Sequence, residues 1–243
     1  MNRELRVSFG YLVFAFCIVF LAFLSLTPHV FASVSDQPAL LVTWQAQNSI
    51  PSWYDGKAMP TYQSPIVLSL VVTQGGKIVS LASQPIKWFV NDDVIGYQAG
   101  LSSVTFVNKR IFDGGEIDVR VSVQLTDPDT GAQTMQTGYL SIPVVSPMVV
   151  VQAPPFSGVL SAGQSLKLVA SPFFFLVPQG GLSFSWNINS IAIQNGTDPA
   201  QLSMQINPHA TPSSQSVNVS VSSYGQSLLS AQGASGAFSF TIK

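Results

Sequence analysis

The chain has 243 residues, a formal net charge of −1, and charged residues at only 9% of its positions, against about 25% in an ordinary soluble domain. Lys and Arg are scattered singly apart from Lys109-Arg110, which excludes the basic face that phosphate-backbone binding needs, so no nucleic acid is expected as a partner. With 47% apolar residues in short regular runs the chain is too apolar to be disordered, and its single cysteine, Cys17, leaves the rest without an internal disulfide or a cysteine-ligated metal site.

In chain order, Arg3 and Arg6 precede an uncharged apolar run from Val7 to Leu26. As a helix this run reaches roughly 30 Å, the thickness of a bilayer core. Thr27-Pro28-His29 stops it, and Val30-Phe31-Ala32-Ser33 then offers compact residues at the positions a cleavage site needs after Ala32. Residues 1–32 are expected to be a signal peptide or an uncleaved membrane anchor spanning residues 7–26. Either outcome keeps the arginines in the cytoplasm and exports the remainder of the chain, to the cell surface, the periplasm or the medium. Phe16, just before Cys17, is too large for a lipoprotein site. The membrane is therefore met only through this segment.

Beyond it the sequence repeats at an offset of 98 residues. Leu68, Leu70, Trp88, Val90-Asn91 and Ile95 match Leu166, Leu168, Trp186, Ile188-Asn189 and Ile193. Val119, Val121 and Val123 match Val217, Val219 and Val221, and Leu140, Ile142 and Val144 match Phe238, Phe240 and Ile242. A fixed offset over several separate segments marks a duplicated unit. Inside each segment the apolar residues alternate with polar ones, the period of a strand with one face in a core and the other in water. Gly, Pro, Asn, Asp and Ser punctuate the runs, which favours sandwiches over βαβ units. The expected architecture is all-β, with one sandwich over residues 36–145 and a second over 147–243. The first opens on Leu40, Val42, Trp44 and Ala46 as inward residues. Pro147 marks a short junction, which predicts a semi-rigid pair. The last alternating run reaches Ile242, and no sorting signal or second anchor is expected after it.

Trp88-Phe-Val-Asn-Asp-Asp-Val-Ile95 and Trp186-Asn-Ile-Asn-Ser-Ile-Ala-Ile193 look like the strand that carries the core tryptophan of an immunoglobulin-like domain, followed by a tight turn and its partner strand. Without the two-cysteine bridge, the resemblance is to the disulfide-free immunoglobulin-like modules of bacterial surface proteins. Trp44-Gln-Ala-Gln-Asn-Ser-Ile-Pro-Ser-Trp-Tyr-Asp-Gly-Lys57, together with the Trp88 motif, also resembles uncharacterised exported proteins of candidate-phyla bacteria. This resemblance covers mainly the first unit. It implies a cell-surface role and supplies no catalytic or ligand residue.

Candidate sites are few. Asp127-Pro-Asp129-Thr-Gly131 begins like a calcium loop but lacks the closing glutamate, and the same residues make an ordinary hairpin turn. Asp92, Asp93, Asp113, Glu116 and Asp118 suit turn and edge positions. Trp53 and Tyr54, between Pro51 and Pro60, form either an exposed platform for a sugar or partner or a cap over the first core. Phe173, Phe174 and Phe175 cannot all face one side of a strand, so at least one is expected to face a neighbour; the readings are packing against the first domain or within the core, a partner surface, or membrane contact. Asn195-Gly-Thr197 and Asn218-Val-Ser220 fit a glycosylation pattern that is common by chance. His29 and His209 are the only histidines, and no nucleophile elbow, metal-binding His pair or phosphate loop accompanies them. No enzyme, cofactor or metal is expected. The expected role is interaction with another envelope or surface protein, in adhesion or assembly. A carbohydrate-binding module and a calcium-rigidified spacer are the alternatives.

Overall fold

The structure, a computed structural model, describes residues 37–110, 114–127, 130–154, 158–193, 196–223 and 231–243. The expected signal or anchor over 1–32, with Cys17 and His29, lies outside these residues, as do Asp113, Asp129 and Asn195. Gln37–Lys243 form one compact unit. Among the described residues, no helix is long and apolar enough to cross a membrane.

The unit is built of strands around two apolar cores. The first domain comprises β1 (Ala39–Ala46), β2 (Pro65–Gln74), β3 (Lys77–Ile78), β4 (Pro85–Val90), β5 (Asp93–Ala99), β6 (Ser103–Val107), β7 (Glu116–Thr126) and β8 (Gln133–Pro143). One of its sheets joins β1, β3 and β6 to β2, and the other runs β5-β4-β7-β8. The second domain comprises β9 (Met148–Gln152), β10 (Val159–Leu160), β11 (Ser165–Phe173), β12 (Ser183–Ile188), β13 (Ile191–Ile193), β14 (Gln201–Gln205), β15 (Ser213–Ser223) and β16 (Gln232–Ile242). Its sheets run β14-β11-β9 and β10-β16-β15-β12-β13. Each domain is thus a sandwich of two sheets, its core filled by the alternate, inward residues of both.

The repeat sets the two cores to the same plan. Trp88 and Trp186 are both fully buried. Each indole N–H must find an acceptor there, and the acceptors stand at equal offset: the carbonyl of Leu101 at 2.8 Å and that of Pro199 at 2.9 Å. Across the sheet Trp88 faces Val121 and Trp186 faces Val219. The hairpin after each Trp strand turns on two residues of positive φ, Asn91 (48°) and Asp92 (68°) in one domain and Asn189 (46°) and Ser190 (68°) in the other. This is the geometry whose twist suits a two-residue hairpin, and Asn tolerates it best among non-glycine residues. Each Asn side chain also accepts a backbone N–H from the neighbouring strand, Asp118 at 3.1 Å or Ser216 at 2.9 Å. Gly138 and Gly236 repeat as well. A Cβ at Gly236 would lie 2.8 Å from Val151 and 2.9 Å from the Val149 carbonyl, and one at Gly138 would lie 3.0 Å from Val42. The bare backbone there lets the opening strand of each domain close over its sandwich.

The domains depart from each other where they meet. Residues 47–64 link β1 to β2, a longer connection than 153–164, which leads from β9 to β11. This insertion reaches the second domain: Ser49 pairs with Phe175 in an antiparallel bridge, with N–H···O distances of 2.7 Å from Ser49 to Phe175 and 2.7 Å from Phe174 to Ser49. The Asn48 side chain donates to the Phe174 carbonyl at 2.7 Å and to Thr61 at 2.9 Å. Gln232, on β16, donates to the same Thr61 hydroxyl at 2.9 Å while its oxygen accepts the Leu176 N–H at 2.7 Å. Phe174 has φ 64°, a left-handed backbone that costs a residue with a Cβ about 1–2 kcal/mol. Both of its backbone polar groups are held by the first domain, which keeps it there.

Candidate functional site

Trp53 and Tyr54, at the tip of the insertion, pack edge-on against Phe173 with centroids 5.6 and 5.2 Å away, and Tyr54 also meets Phe174 at 6.4 Å. Trp53 remains 53% exposed. Neither ring belongs to the first core, so the pair closes the junction rather than capping one end of the first sandwich. Phe173, Phe174 and Phe175 are all buried, with Phe175 in the second core. Nearby, the Lys57 ammonium lies 3.7 Å above the Trp44 ring, and burial lowers its pKa. Asp127 opens the turn between β7 and β8, where its carboxylate accepts the Thr130 N–H at 2.9 Å. His209 lies in an exposed loop, its N–H held by Asn207 at 2.8 Å. The acidic residues at the hairpin end are exposed, and Glu116 accepts from Ser141 at 2.5 Å. Among the described residues no three His, Cys, Asp or Glu side chains gather as a metal site would require.

A different surface stands out. The sheet β5-β4-β7-β8 turns one face to the first core and the other to solvent. β4 sends Ile86, Trp88 and Val90 inward and Lys87 and Phe89 outward; β7 sends Val119, Val121 and Val123 inward and Arg120, Ser122 and Gln124 outward. In register, Phe89 lies opposite Arg120, and Arg120 opposite Tyr139. Lys87 lies between Tyr97 and Ser122. The Arg120 guanidinium sits 3.7 Å over the Phe89 ring, and the Lys87 ammonium is 5.0 Å from Phe89 and 5.9 Å from Tyr97. Such contacts align the cations while leaving their charge in water. Tyr97, Tyr139 and Met135 are 69%, 76% and 64% exposed. Asp92 pairs with Arg120 at 3.8 Å from an almost fully exposed position, a contact worth little. Among the described residues Lys87 has no carboxylate partner. Lys87, Phe89, Tyr97, Ser122, Gln124 and Met135 line a shallow depression of about 400 Å³.

The same lattice points in the second domain hold none of this chemistry. At the repeat offset, Lys87, Phe89, Arg120, Met135 and Tyr139 become Ser185, Asn187, Asn218, Gly233 and Ala237. Reading the repeat for its matches, as the core positions invite, passes over these residues. The signal that finds them is the set of outward positions at which the two copies disagree.

No protein-family model matches the sequence, and no curated protein sequence does. Among solved structures, the chain is similar to fibronectin(III)-like modules of Clostridium thermocellum CbhA, at 13% identity over 83% of this chain and 93% of that one, with a TM-score of 0.30. It is similar to three N-terminal domains of the bacteriophage RB49 highly immunogenic outer capsid protein, at 14% identity over 85% and 69%, with a TM-score of 0.31. It is also similar to the human OSCAR ligand-binding domain, at 12% identity over 85% and 95%, with a TM-score of 0.31. At these TM-scores the likenesses carry no functional reading. The strands, sheet order and buried tryptophans themselves define the class: an all-β protein of tandem immunoglobulin-like sandwiches.

Proposed function

We propose that this is an exported, non-enzymatic binding protein. Its first domain engages a partner of the cell surface or envelope through the outward face of β5-β4-β7-β8, and its second domain acts as a neutral support. The observation that carries this reading is the contrast at equal repeat positions. A side chain on a solvent face is free of the core's demands, and small uncharged residues serve that face in the second domain. Lys87, Phe89, Tyr97, Arg120, Met135 and Tyr139 in the first leave the Tyr97, Met135 and Tyr139 ring and thioether surface in water, and the cation–ring contacts among them return only about 0.5–1 kcal/mol each. Aromatic residues, Met and Arg are the types enriched where proteins bind. The export part rests on Arg3 and Arg6 followed by the apolar run from Val7 to Leu26.

The test exchanges the face for its own counterpart. The variant Lys87→Ser, Phe89→Asn, Arg120→Asn, Tyr139→Ala carries the residues of the second domain on the first. The purified wild-type protein is expected to co-sediment with envelopes of the cells that produce it, and the variant to remain in the supernatant with an unchanged circular dichroism spectrum. Equal sedimentation of the two proteins overturns the assignment of the face.

A further inference from the structure

We infer that the first domain holds a second site, distinct from the face proposed above, where an extended peptide adds to the free edge of β6 and sets apolar side chains into the cavity between the two sheets. Hydrogen-bond parity identifies the edge. Asn108 donates its backbone N–H to the Ser64 carbonyl at 2.9 Å and accepts from Gln63 at 2.8 Å, and the Ser102 carbonyl accepts from Leu70 at 2.8 Å. The even-numbered residues of this stretch therefore turn their backbone groups to β2. Successive residues of a strand alternate in that direction, so Ser103, Thr105 and Val107 turn theirs outward. Among the described residues β6 pairs with β2 alone. Val104 and Phe106 point into the sandwich and pack on its core, while the Ser103, Thr105 and Val107 side chains are exposed.

Native sheets guard an outer strand with charge, proline, a bulge or a cover, and the other long outer strands of this domain have such a guard. β5 opens on Asp93 and shifts register between Trp88 and Phe89 of its partner. β8 ends on Pro143, and it packs at Gly138 against Val42 of β1. Ser103–Val107 has no charge, proline or register shift. Beside the end of this bare edge lies a cavity of about 370 Å³, a size that holds ligands. Val90, Ile95, Phe106 and Ile117, one from each of β4 to β7, give it apolar walls. Its rim carries both signs, Asp93 with Lys109 and Arg110, so charge does not choose the occupant. The backbone does. An extended chain offers N–H and C=O groups at the spacing of the outward groups of β6, and every second side chain of that chain then points between the sheets. A second copy of β6 meets the first condition and not the second, because its Val104 and Phe106 are committed to its own core. A helix, whose backbone groups are bonded internally, meets neither.

The experiment mixes the purified protein with short acetylated and amidated peptides in which Thr alternates with Val, Leu, Ile or Phe, and follows amide hydrogen exchange residue by residue. The Ser103, Thr105 and Val107 amides are expected to exchange freely in the protein alone and at least about tenfold more slowly with peptide, while those of Val104 and Phe106 are protected in both. Peptides with Ser at the apolar positions should bind at least about tenfold more weakly, the scale of one buried apolar side chain. Thr105→Pro removes an outward donor and no bond to β2, so it should abolish the added protection, whereas Thr105→Ala should keep it. Exchange that slows at none of the three amides, or equal binding of the serine peptides, overturns the inference, and these wild-type measurements decide it whether or not the proline variant folds. Slow exchange at the three amides without peptide, together with a dimer in sedimentation velocity that Thr105→Pro dissolves, gives the edge to a second copy and overturns it too. Envelope co-sedimentation should be the same for Thr105→Pro and the wild type, because the face proposed above belongs to the other sheet. A loss there would merge the two sites and overturn the second.

Discussion

The inward and outward faces of the Trp-bearing sheets obey different rules. Inward, the two domains hold apolar side chains at most of the same offsets, with Gln215 and Ser223 standing where Ile117 and Leu125 stand, and they share the acceptor position of each indole N–H and the Asn that clasps the following strand. Outward, Ser185, Asn187, Asn218 and Ala237 stand in the second domain where Lys87, Phe89, Arg120 and Tyr139 stand in the first. Both faces belong to the same strands and alternate residue by residue. A core is over-determined by packing, so a duplicated sandwich keeps it. A solvent face is determined by little, so the residues placed there report on use. The second domain is then an internal control for the first: the same fold and, apart from the added edge strand β10, the same strand order at this sheet, without the rings and cations.

The largest effect tests the inward half of this comparison. Trp88→Ala and Trp186→Ala each remove a fully buried indole and should each cost about 3–5 kcal/mol in urea denaturation. Losses that differ by more than about 2 kcal/mol would break the equivalence of the cores. Next come the paired glycines. A methyl at Gly236 meets a backbone carbonyl, which cannot rotate away, whereas the one at Gly138 meets only valine and leucine side chains and the Val121 methyl. Gly236→Ala should lower stability by about 1–3 kcal/mol and Gly138→Ala by less. A reversed order in thermal melts would show that β9 has more room to move than its position allows. The smallest effect on stability tests the outward half. Ser185→Lys, Asn187→Phe, Asn218→Arg and Ala237→Tyr should each change stability by no more than about 0.5 kcal/mol. Installed in the variant whose first face has been erased, they should restore part of its envelope binding. Failure to restore it would show that β5, with Tyr97, is an essential part of the face.

The tryptophan strands, their hairpins and the alternating runs were legible because each rests on a local rule: a period of two, a positive-φ turn that favours Asn, and a duplicated spacing. The binding face was present in the same letters but required subtraction rather than matching. Phe89 and Tyr97 read as ordinary strand residues until their repeat partners and exposures are set beside them. The junction was the least legible. Trp53 and Tyr54 gave no sign that they would meet Phe173, because that contact depends on how two sandwiches with separate cores are set together, and no periodicity encodes it. The unusual run Pro172-Phe-Phe-Phe did signal that one ring must face a neighbour, and Phe173 does. The left-handed backbone at Phe174 was not visible, since nothing in a phenylalanine favours it.

The bridge between Ser49 and Phe175 also has a mechanical consequence. Two bodies joined only by the short chain segment at Pro147 could swivel about that single thread, each bond rotation turning one against the other. A second attachment, set apart from the first and made of backbone hydrogen bonds, aromatic edges and the Gln232–Thr61 contact, removes the swivel and leaves at most a hinge about the line through both points. Torque applied to one sandwich is then passed to the other, and a sheet face on the first keeps a fixed heading relative to the second.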